Sequence, residues 1–220
     1  MRPILRGRDI KRYGYEFADL WLIHTHNGLK EKGLERIKIE DYPAIKKHLD
    51  SYYFELEKRA DKGDTIYNLR NCAYMDDFSK PKIVWAETMR IHKNSNERFP
   101  RFAFEDTEHY YTDKTCFFAV GKNIKFLVAY LNSKVGKYLC SQYVSILDDG
   151  GYLMQKKYLQ EIPIPQIDGF VINKIELLFS QVLDKKINNI VSSKAETEID
   201  NTIYQLFNFD YSEIQFVDFQ

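Results

Sequence analysis

A cluster of cationic and amide side chains follows one apolar segment of this sequence and has the composition needed to bind a polyanion. The apolar segment covers residues 83–89, and the donor residues that follow it are Arg90, His92, Lys93, Asn94, Asn96, Arg98 and Arg101. Arginine offers a planar fork of donors to phosphate or guanine, while asparagine and histidine offer donors and acceptors for the edges of bases. This composition therefore predicts a surface that contacts nucleic acid.

Charge is distributed unevenly along the chain, although 32 basic and 32 acidic residues give a formal net charge of zero. Residues 1–16 hold five basic side chains against two acidic ones, and residues 114–147 hold five lysines and no acidic residue. The segment after Lys194 holds six acidic residues and no lysine or arginine. The asymmetry predicts a basic face and an acidic back, although each run of like charge fits an ordinary solvated surface equally well.

Apolar periodicity predicts the elements that would hold the basic segment in place. Short strands are expected at residues 18–25, 36–39, 82–89, 101–105 and 115–120. Helices are expected from a cap at Asp41 to Arg59, at residues 124–131 and 134–144, as a short turn at residues 156–160, and at residues 172–190 and 199–207.

These elements predict an α+β fold with a small mixed, mainly antiparallel sheet, flanking helices and a C-terminal helical pair. We expect one domain at residues 1–165 that carries the contact surface. A helical appendage at residues 166–220 is expected to pack on it.

Sequence motifs for catalysis and cofactor binding are absent. No Gly-x-Gly or Gly-Lys-Ser/Thr segment occurs, so no loop for a nucleotide or for S-adenosylmethionine is predicted. The sequence also lacks the Pro-Pro pair that grips a flipped adenine in amino-methyltransferases and the Glu-x-Lys triplet of two-carboxylate nucleases. His24 and His26 share one face of a predicted strand but have no third metal ligand nearby. We therefore expect no catalytic residue, metal or cofactor in this chain.

Five segments in a fixed order resemble a known family. They are RPILRGRDI at residues 2–10, YNLRNCAY at 67–74, KPKIVWAE at 80–87, FLVAYLNSK at 126–134 and YLQEIPIP at 158–165. Together they resemble the TaqI-like C-terminal specificity domain, which is the target recognition domain of type IIG restriction-modification enzymes and related adenine-specific DNA methyltransferases. The resemblance extends over residues 2–209, nearly the whole chain.

The resemblance implies a non-catalytic domain that binds double-stranded DNA. Its partner would be a methyltransferase domain of the same polypeptide, commonly accompanied by a nuclease domain, and these would use S-adenosylmethionine and Mg2+. Within this chain, the resemblance implies that residues 82–87 form a scaffold and that the segment after them reads the major groove. It also implies DNA contacts from Arg70, Lys80, Lys82, Gln155, Lys156 and Lys157, the last three beside the turn at Gly150 and Gly151.

Two other functions remain open from the sequence. In one, the helices at residues 171–190 and 196–207 dock a protein partner and the charged segment is merely solvated. In the other, the chain is a small nuclease, against which the missing Glu-x-Lys triplet argues.

The sequence also bears on where the protein is found. No apolar run approaches the about 20 residues that span a bilayer. The start lacks the apolar centre of a signal peptide. A cytoplasmic protein without membrane contact is therefore expected. Strand-like residues within the first ten positions suggest a domain of a longer polypeptide.

Overall fold

The structure is a computed structural model that describes residues 1–90, 98–148, 150–188 and 190–219. It divides into two compact units, the smaller formed by Met1–Arg2 and Trp21–Phe78 and the larger by Pro3–Leu20 and Ser79–Gln220. The sequence predicts a boundary at residue 165. The helices after this residue lie in the same unit as the central sheet before it.

Short strands and helices of mixed length make up the described part of the chain. The strands are β1 (Arg2–Leu5), β2 (Trp21–Leu22), β3 (Lys82–Ala86), β4 (Thr88–Met89), β5 (Phe102–Glu105), β6 (Tyr111–Thr112), β7 (Cys116–Val120), β8 (Ser145–Ile146) and β9 (Tyr152–Leu153). The α-helices are α1 (Pro43–Asp50), α2 (Tyr53–Lys58), α3 (Ile124–Asn132), α4 (Lys134–Tyr143), α5 (Lys156–Leu159), α6 (Gly169–Ile187), α7 (Ser193–Leu206) and α8 (Tyr211–Asp218). Turns of 3-10 helix occur at Gly7–Asp9, Lys30–Lys32, Ile39–Asp41 and Met75–Ser79. The predicted α+β class is confirmed.

In the smaller unit, α1 and α2 replace the single helix predicted between residues 41 and 59. Pro43 occupies the first turn of α1. Asp41 ends the preceding 3-10 turn instead of capping the helix, and Tyr42 stands at the cap position without a side-chain hydrogen bond. Neither helix contains a buried residue. A helix that gains little from tertiary packing is marginal at this length, which explains the break.

The strand predicted at residues 18–25 is much shorter in the structure, and the strand predicted at residues 36–39 does not form. Only β2 forms in the first segment, and its Trp21 is 50% exposed. After β2, the backbone pairs with a loop and not with a strand: the Leu69 N–H donates to the Thr25 carbonyl oxygen at 2.9 Å. The second segment contains no strand and leads into a 3-10 turn. Turns and loops thus satisfy backbone groups that the apolar pattern had assigned to a sheet.

A three-stranded antiparallel sheet in the order β5-β3-β7 forms the centre of the larger unit. Trp85 in β3 lies opposite Phe102 in β5 and Phe117 in β7. Two smaller arrangements accompany this sheet: β4-β9-β8 is antiparallel, and β1 pairs with β6 in parallel. The strands predicted at residues 82–89, 101–105 and 115–120 are confirmed, except that the first divides into β3 and β4 at Glu87.

The strand β3 is buried along its whole length because both faces of the sheet are covered. Ile83 and Trp85 join a large apolar cluster that includes Phe179 of α6, whereas Val84 joins a smaller cluster with Ile10. Successive side chains of a strand point to opposite faces, so a continuous apolar run is what such a strand requires.

Helices cover the large cluster in layers: α3 packs on β3 and β5, α6 packs on α3, and α7 packs on α6. The predicted helices at residues 124–131, 134–144, 172–190 and 199–207 are confirmed to within a few residues, whereas α8 was not predicted. Asn123 precedes α3 with a left-handed φ of 54° and makes no capping hydrogen bond from its side chain. None of the helices in the described ranges is long and apolar enough to span a membrane.

Candidate nucleic-acid interface

The central sheet positions both ends of the predicted basic segment. Arg90 follows β4, and Arg98 and Arg101 precede β5. The Arg101 guanidinium donates to the Arg90 carbonyl oxygen at 3.2 Å, which joins the two ends directly. At the start of β5, Asn132 of α3 accepts from the Phe102 N–H at 3.0 Å and donates to its carbonyl oxygen at 2.8 Å. His92, Lys93, Asn94 and Asn96 lie outside the described residues.

A surface cleft of about 590 Å3, here the Arg90 cleft, lies at one end of this segment. Its charged lining residues are Arg6, Arg8, Arg90, Arg101, Glu87 and Asp113. Gly7 brings the N-terminal arginines to this cleft through a close approach to Thr115, whose Oγ1 accepts from the Gly7 N–H at 2.7 Å. A Cβ at position 7 would lie 2.9 Å from the Thr115 carbonyl oxygen, so only glycine fits there without a shift of backbone.

A second cleft of about 710 Å3, here the Arg98 cleft, is lined by Arg98, Arg101 and residues of two other parts of the chain. Lys11 and Arg12 come from the N-terminal segment, and Lys186 comes from the last turn of α6. Arg101 lines both clefts, although it is only 8% exposed. The two basic segments that the sequence showed separately, at residues 2–12 and 90–101, therefore meet at adjoining clefts.

Backbone pairing to β5 positions the N-terminal cations. The Tyr13 N–H donates to the Phe102 carbonyl oxygen at 2.9 Å, and the Phe104 N–H donates to the Tyr13 carbonyl oxygen at 3.2 Å. Arg12, directly before this anchor, forms an ion pair with Glu196 of α7 and lies 4.7 Å from the centroid of the Tyr13 ring. The guanidinium of Arg12 is therefore held by contacts on both sides.

Ion pairs and like charges shape the electrostatics of the two clefts. Burial alone would raise the pKa of Asp9, but two hydrogen bonds from the Arg6 side chain, one from the Arg6 N–H and the Arg6 charge hold that pKa below its ordinary value. In the Arg98 cleft, burial lowers the pKa of the Lys186 ammonium, and the positive charges of Arg12 and Arg98 lower it further. An anion bound beside Lys186 would relieve this repulsion.

Gln155 lies beside the Arg90 cleft, whereas Lys156 and Lys157 line neither cleft. The Gln155 amide donates to the Glu87 carboxylate at 3.2 Å, and the Met154 N–H donates to the Glu87 carbonyl oxygen at 2.7 Å. Both lysines are exposed in α5, with the Lys157 ammonium 4.6 Å from the centroid of the Tyr158 ring. Of these three predicted residues, Gln155 contacts a residue that lines the Arg90 cleft, and the two lysines line neither cleft.

The structure corrects the expectation that Lys82 contacts DNA. The Lys82 side chain is 0% exposed, and its ammonium forms an ion pair with Glu105, the residue opposite it on β5. A buried ammonium with a buried partner contributes to the sheet and cannot meet a phosphate at the surface. Lys80 is exposed, and so is Arg70, which belongs to the smaller unit.

Sequence reasoning missed five residues that the structure places at the clefts: Arg6, Arg8, Lys11, Arg12 and Lys186. A signal for the first four existed, because residues 1–16 carry a basic excess. No comparable signal exists for Lys186, which lies among other charged residues near the end of an amphipathic helix. Its approach to Arg12 and Arg98 depends on how α6 packs.

No group of three or more histidine, cysteine, aspartate or glutamate residues suited to a metal ion occurs in the part of the chain that the structure describes. The His24 and His26 rings do lie near each other, with centroids 5.3 Å apart. Burial, together with the charges of His26 and Arg2, lowers the pKa of His24 to about 4. The two clefts, by contrast, are lined by cationic donors, which are suited to phosphates and base edges.

Comparison with known proteins assigns the chain to a family. Curated proteins give no match. The family model of the TaqI-like C-terminal specificity domain matches residues 2–164, well over half of the chain. Such a domain has a DNA target-recognition role in restriction-modification enzymes and is generally non-catalytic. The chain belongs to the family of TaqI-like C-terminal specificity domains.

Proposed function

We propose that this chain recognises a specific sequence in double-stranded DNA as the non-catalytic specificity domain of a type IIG restriction-modification enzyme. An adenine methyltransferase domain and a nuclease domain elsewhere in the same cytoplasmic polypeptide would use S-adenosylmethionine and Mg2+. The observation that carries the proposal is the convergence of two separate basic segments on clefts that share Arg101.

Phosphate contacts and base contacts have different roles in this proposal. Exposed cations at the clefts, such as Arg8, Arg90 and Arg98, neutralise phosphates and set the register of the domain on the duplex. Residues 91–97 then read base edges, with bidentate arginine–guanine or asparagine–adenine pairs contributing about 1–3 kcal/mol of discrimination each. The rigid ends of this segment, joined by Arg101 and fixed by Asn132, favour binding because less conformational freedom is lost.

The remaining predicted residues are proposed to make further contacts with DNA. Gln155, beside the Arg90 cleft, and the exposed Lys156 and Lys157 form a second DNA-facing loop. Lys80 of the larger unit and Arg70 of the smaller unit contact the phosphate backbone. The methyltransferase domain flips the target adenine, and the specificity domain determines which adenine is presented.

A salt titration of duplex binding tests the electrostatic part of the proposal. Fluorescence anisotropy of the full 220-residue chain with labelled duplexes should show log K falling with log salt at a slope of about −5 for about six neutralised phosphates. Arg8→Ala, Arg90→Ala and Arg98→Ala should each weaken binding and make this slope less steep, whereas Lys174→Ala, on α6 and outside both clefts, should not.

A selection from randomised duplexes tests the sequence-specific part. The chain should enrich one short sequence, and Asn94→Ala or Asn96→Ala should reduce that enrichment more than it reduces binding to random duplexes. A chain that binds no duplex at 20 mM salt, or that binds every duplex equally well, contradicts the proposal.

A second candidate function is docking of a protein partner through the C-terminal helices. The observation that favours it is the exposure of large apolar residues on α6, where Phe170 is 78% and Leu177 is 64% exposed. If this is the sole function, alanine at Arg90, Arg98 and Arg101 leaves partner binding intact, and Phe170→Ser with Leu177→Ser abolishes it. Loss of duplex binding in the arginine variants supports DNA recognition instead.

A further inference from the structure

The Arg98 cleft is formed jointly by the matched specificity domain and by helices that follow it. Arg12 and Arg98 lie within the matched residues 2–164, whereas Lys186 and Ser193 lie beyond them, on α6 and α7. The three cations approach one another because α6 packs on α3 and because Arg12 pairs with Glu196 of α7. The helices beyond the matched residues therefore supply a positive charge that the specificity domain alone does not contain.

The acidic residues at this cleft leave part of its positive charge uncompensated. Five basic and two acidic side chains line it. Glu196 accepts from Ser192 and from Arg12, so its charge is already matched within the cleft wall. Among the described residues, neither Arg98 nor Lys186 forms an ion pair with a carboxylate. Two cations that line one cleft, repel each other and have no paired carboxylate among the described residues form a place where an anion is stabilised.

Two further features favour an anion between these cations. The 14-residue helix α7 begins at this cleft, with Ser193 at its first position and in the lining. The N-terminal end of a helix carries partial positive charge and free N–H donors. The Lys186 ammonium is also held in place, 5.7 Å from the centroid of the buried Tyr13 ring.

We infer that Arg98 and Lys186 together bind one phosphate of the duplex backbone, so that the helices after residue 164 take part in DNA binding. This inference rests on the proposed function and adds a contact from outside the matched domain. A backbone diester carries one negative charge, which two flanking cations and a helix N-terminus neutralise. Such a contact anchors the duplex without reading its sequence.

Lys186→Ala in the full chain tests the inference, with Lys174→Ala on the same helix as the matched control. Removing Lys186 should lower duplex affinity about tenfold at 50 mM salt. The slope of log K against log salt should become less steep by about 0.9. The loss should be equal for the preferred and for scrambled duplexes, and Lys186→Arg should restore binding. Because Lys186 is repelled by two neighbouring cations, its removal should leave the melting temperature unchanged or raise it.

The outcomes separate this inference from the proposed function. If the unmodified chain binds duplex DNA and Lys186→Ala behaves like Lys174→Ala, the inference is overturned while the proposed function stands. If the unmodified chain binds no duplex at 20 mM salt, both are overturned. A third outcome is that inorganic phosphate at millimolar concentration competes with the duplex while Lys186→Ala leaves the salt slope unchanged. This outcome shows a site for a small free anion and also overturns the inference.

Discussion

Replacing Lys82 with methionine should destabilise the fold strongly while leaving the proposed DNA surface intact. The Lys82 and Glu105 side chains are each 0% exposed and form an ion pair across β3 and β5. Methionine matches the length of the lysine stem but removes the charge. The Glu105 carboxylate then remains buried without its counter-ion, a situation that typically costs 3–5 kcal/mol.

The surroundings of Glu105 place the expected loss near the lower end of this range. Its Oε1 accepts from the N–H groups of Thr107, Glu108 and His109 at 3.0, 3.0 and 3.1 Å. These donors continue to stabilise the carboxylate after the ammonium is removed. We therefore expect a loss of about 3 kcal/mol, or about two powers of ten in the ratio of folded to unfolded chains.

Urea unfolding followed by circular dichroism measures this loss. Lys80→Met, two residues earlier and exposed, is the matched control and should change stability by less than about 0.5 kcal/mol. The double variant Lys82→Met/Glu105→Gln should recover most of the stability, because a neutral amide oxygen still accepts the three N–H groups. A loss below about 1 kcal/mol for Lys82→Met, or a selective loss of DNA affinity at unchanged stability, would refute the structural role given to this lysine.

Three further predictions concern the supports of the clefts and the smaller unit. Asn132→Ala should cost about 1–3 kcal/mol in urea unfolding, because the buried Phe102 N–H loses its Asn132 acceptor, while the Phe102 carbonyl oxygen still accepts from the Tyr13 N–H. Gly7→Ala should cost about 1–3 kcal/mol and weaken duplex binding, because its Cβ meets the Thr115 backbone; unchanged binding contradicts this account of the Arg90 cleft. In an NMR titration of the folded chain, His24 should titrate near pH 4, whereas in the unfolded chain it keeps its proton up to about pH 6.5. The free energy of unfolding should therefore rise with pH between these two values, and His24→Gln should reduce this rise.

Local pattern was sufficient where a segment is long and strongly apolar. Continuous apolar runs predicted the central strands, and helical spacing predicted α3, α4, α6 and α7 to within a few residues. The prediction failed in the smaller unit, where α1 and α2 contain no buried residue and where loops satisfy the backbone of the predicted strands. In such a segment, tertiary hydrogen bonds and turns decide the conformation, and apolar periodicity carries little information about them.

The sequence by itself determined the α+β class, the family resemblance and the two basic segments, because these depend on residue types and on spacing along the chain. Only the tertiary structure decided which charges act together. The sequence predicted Lys82 to be a surface cation, but the strand register places it opposite Glu105 inside the sheet. Lys186 became a neighbour of Arg98 only through the packing of α6 on α3. Electrostatic interactions depend on distance and burial in space, and neither quantity follows from separation in sequence.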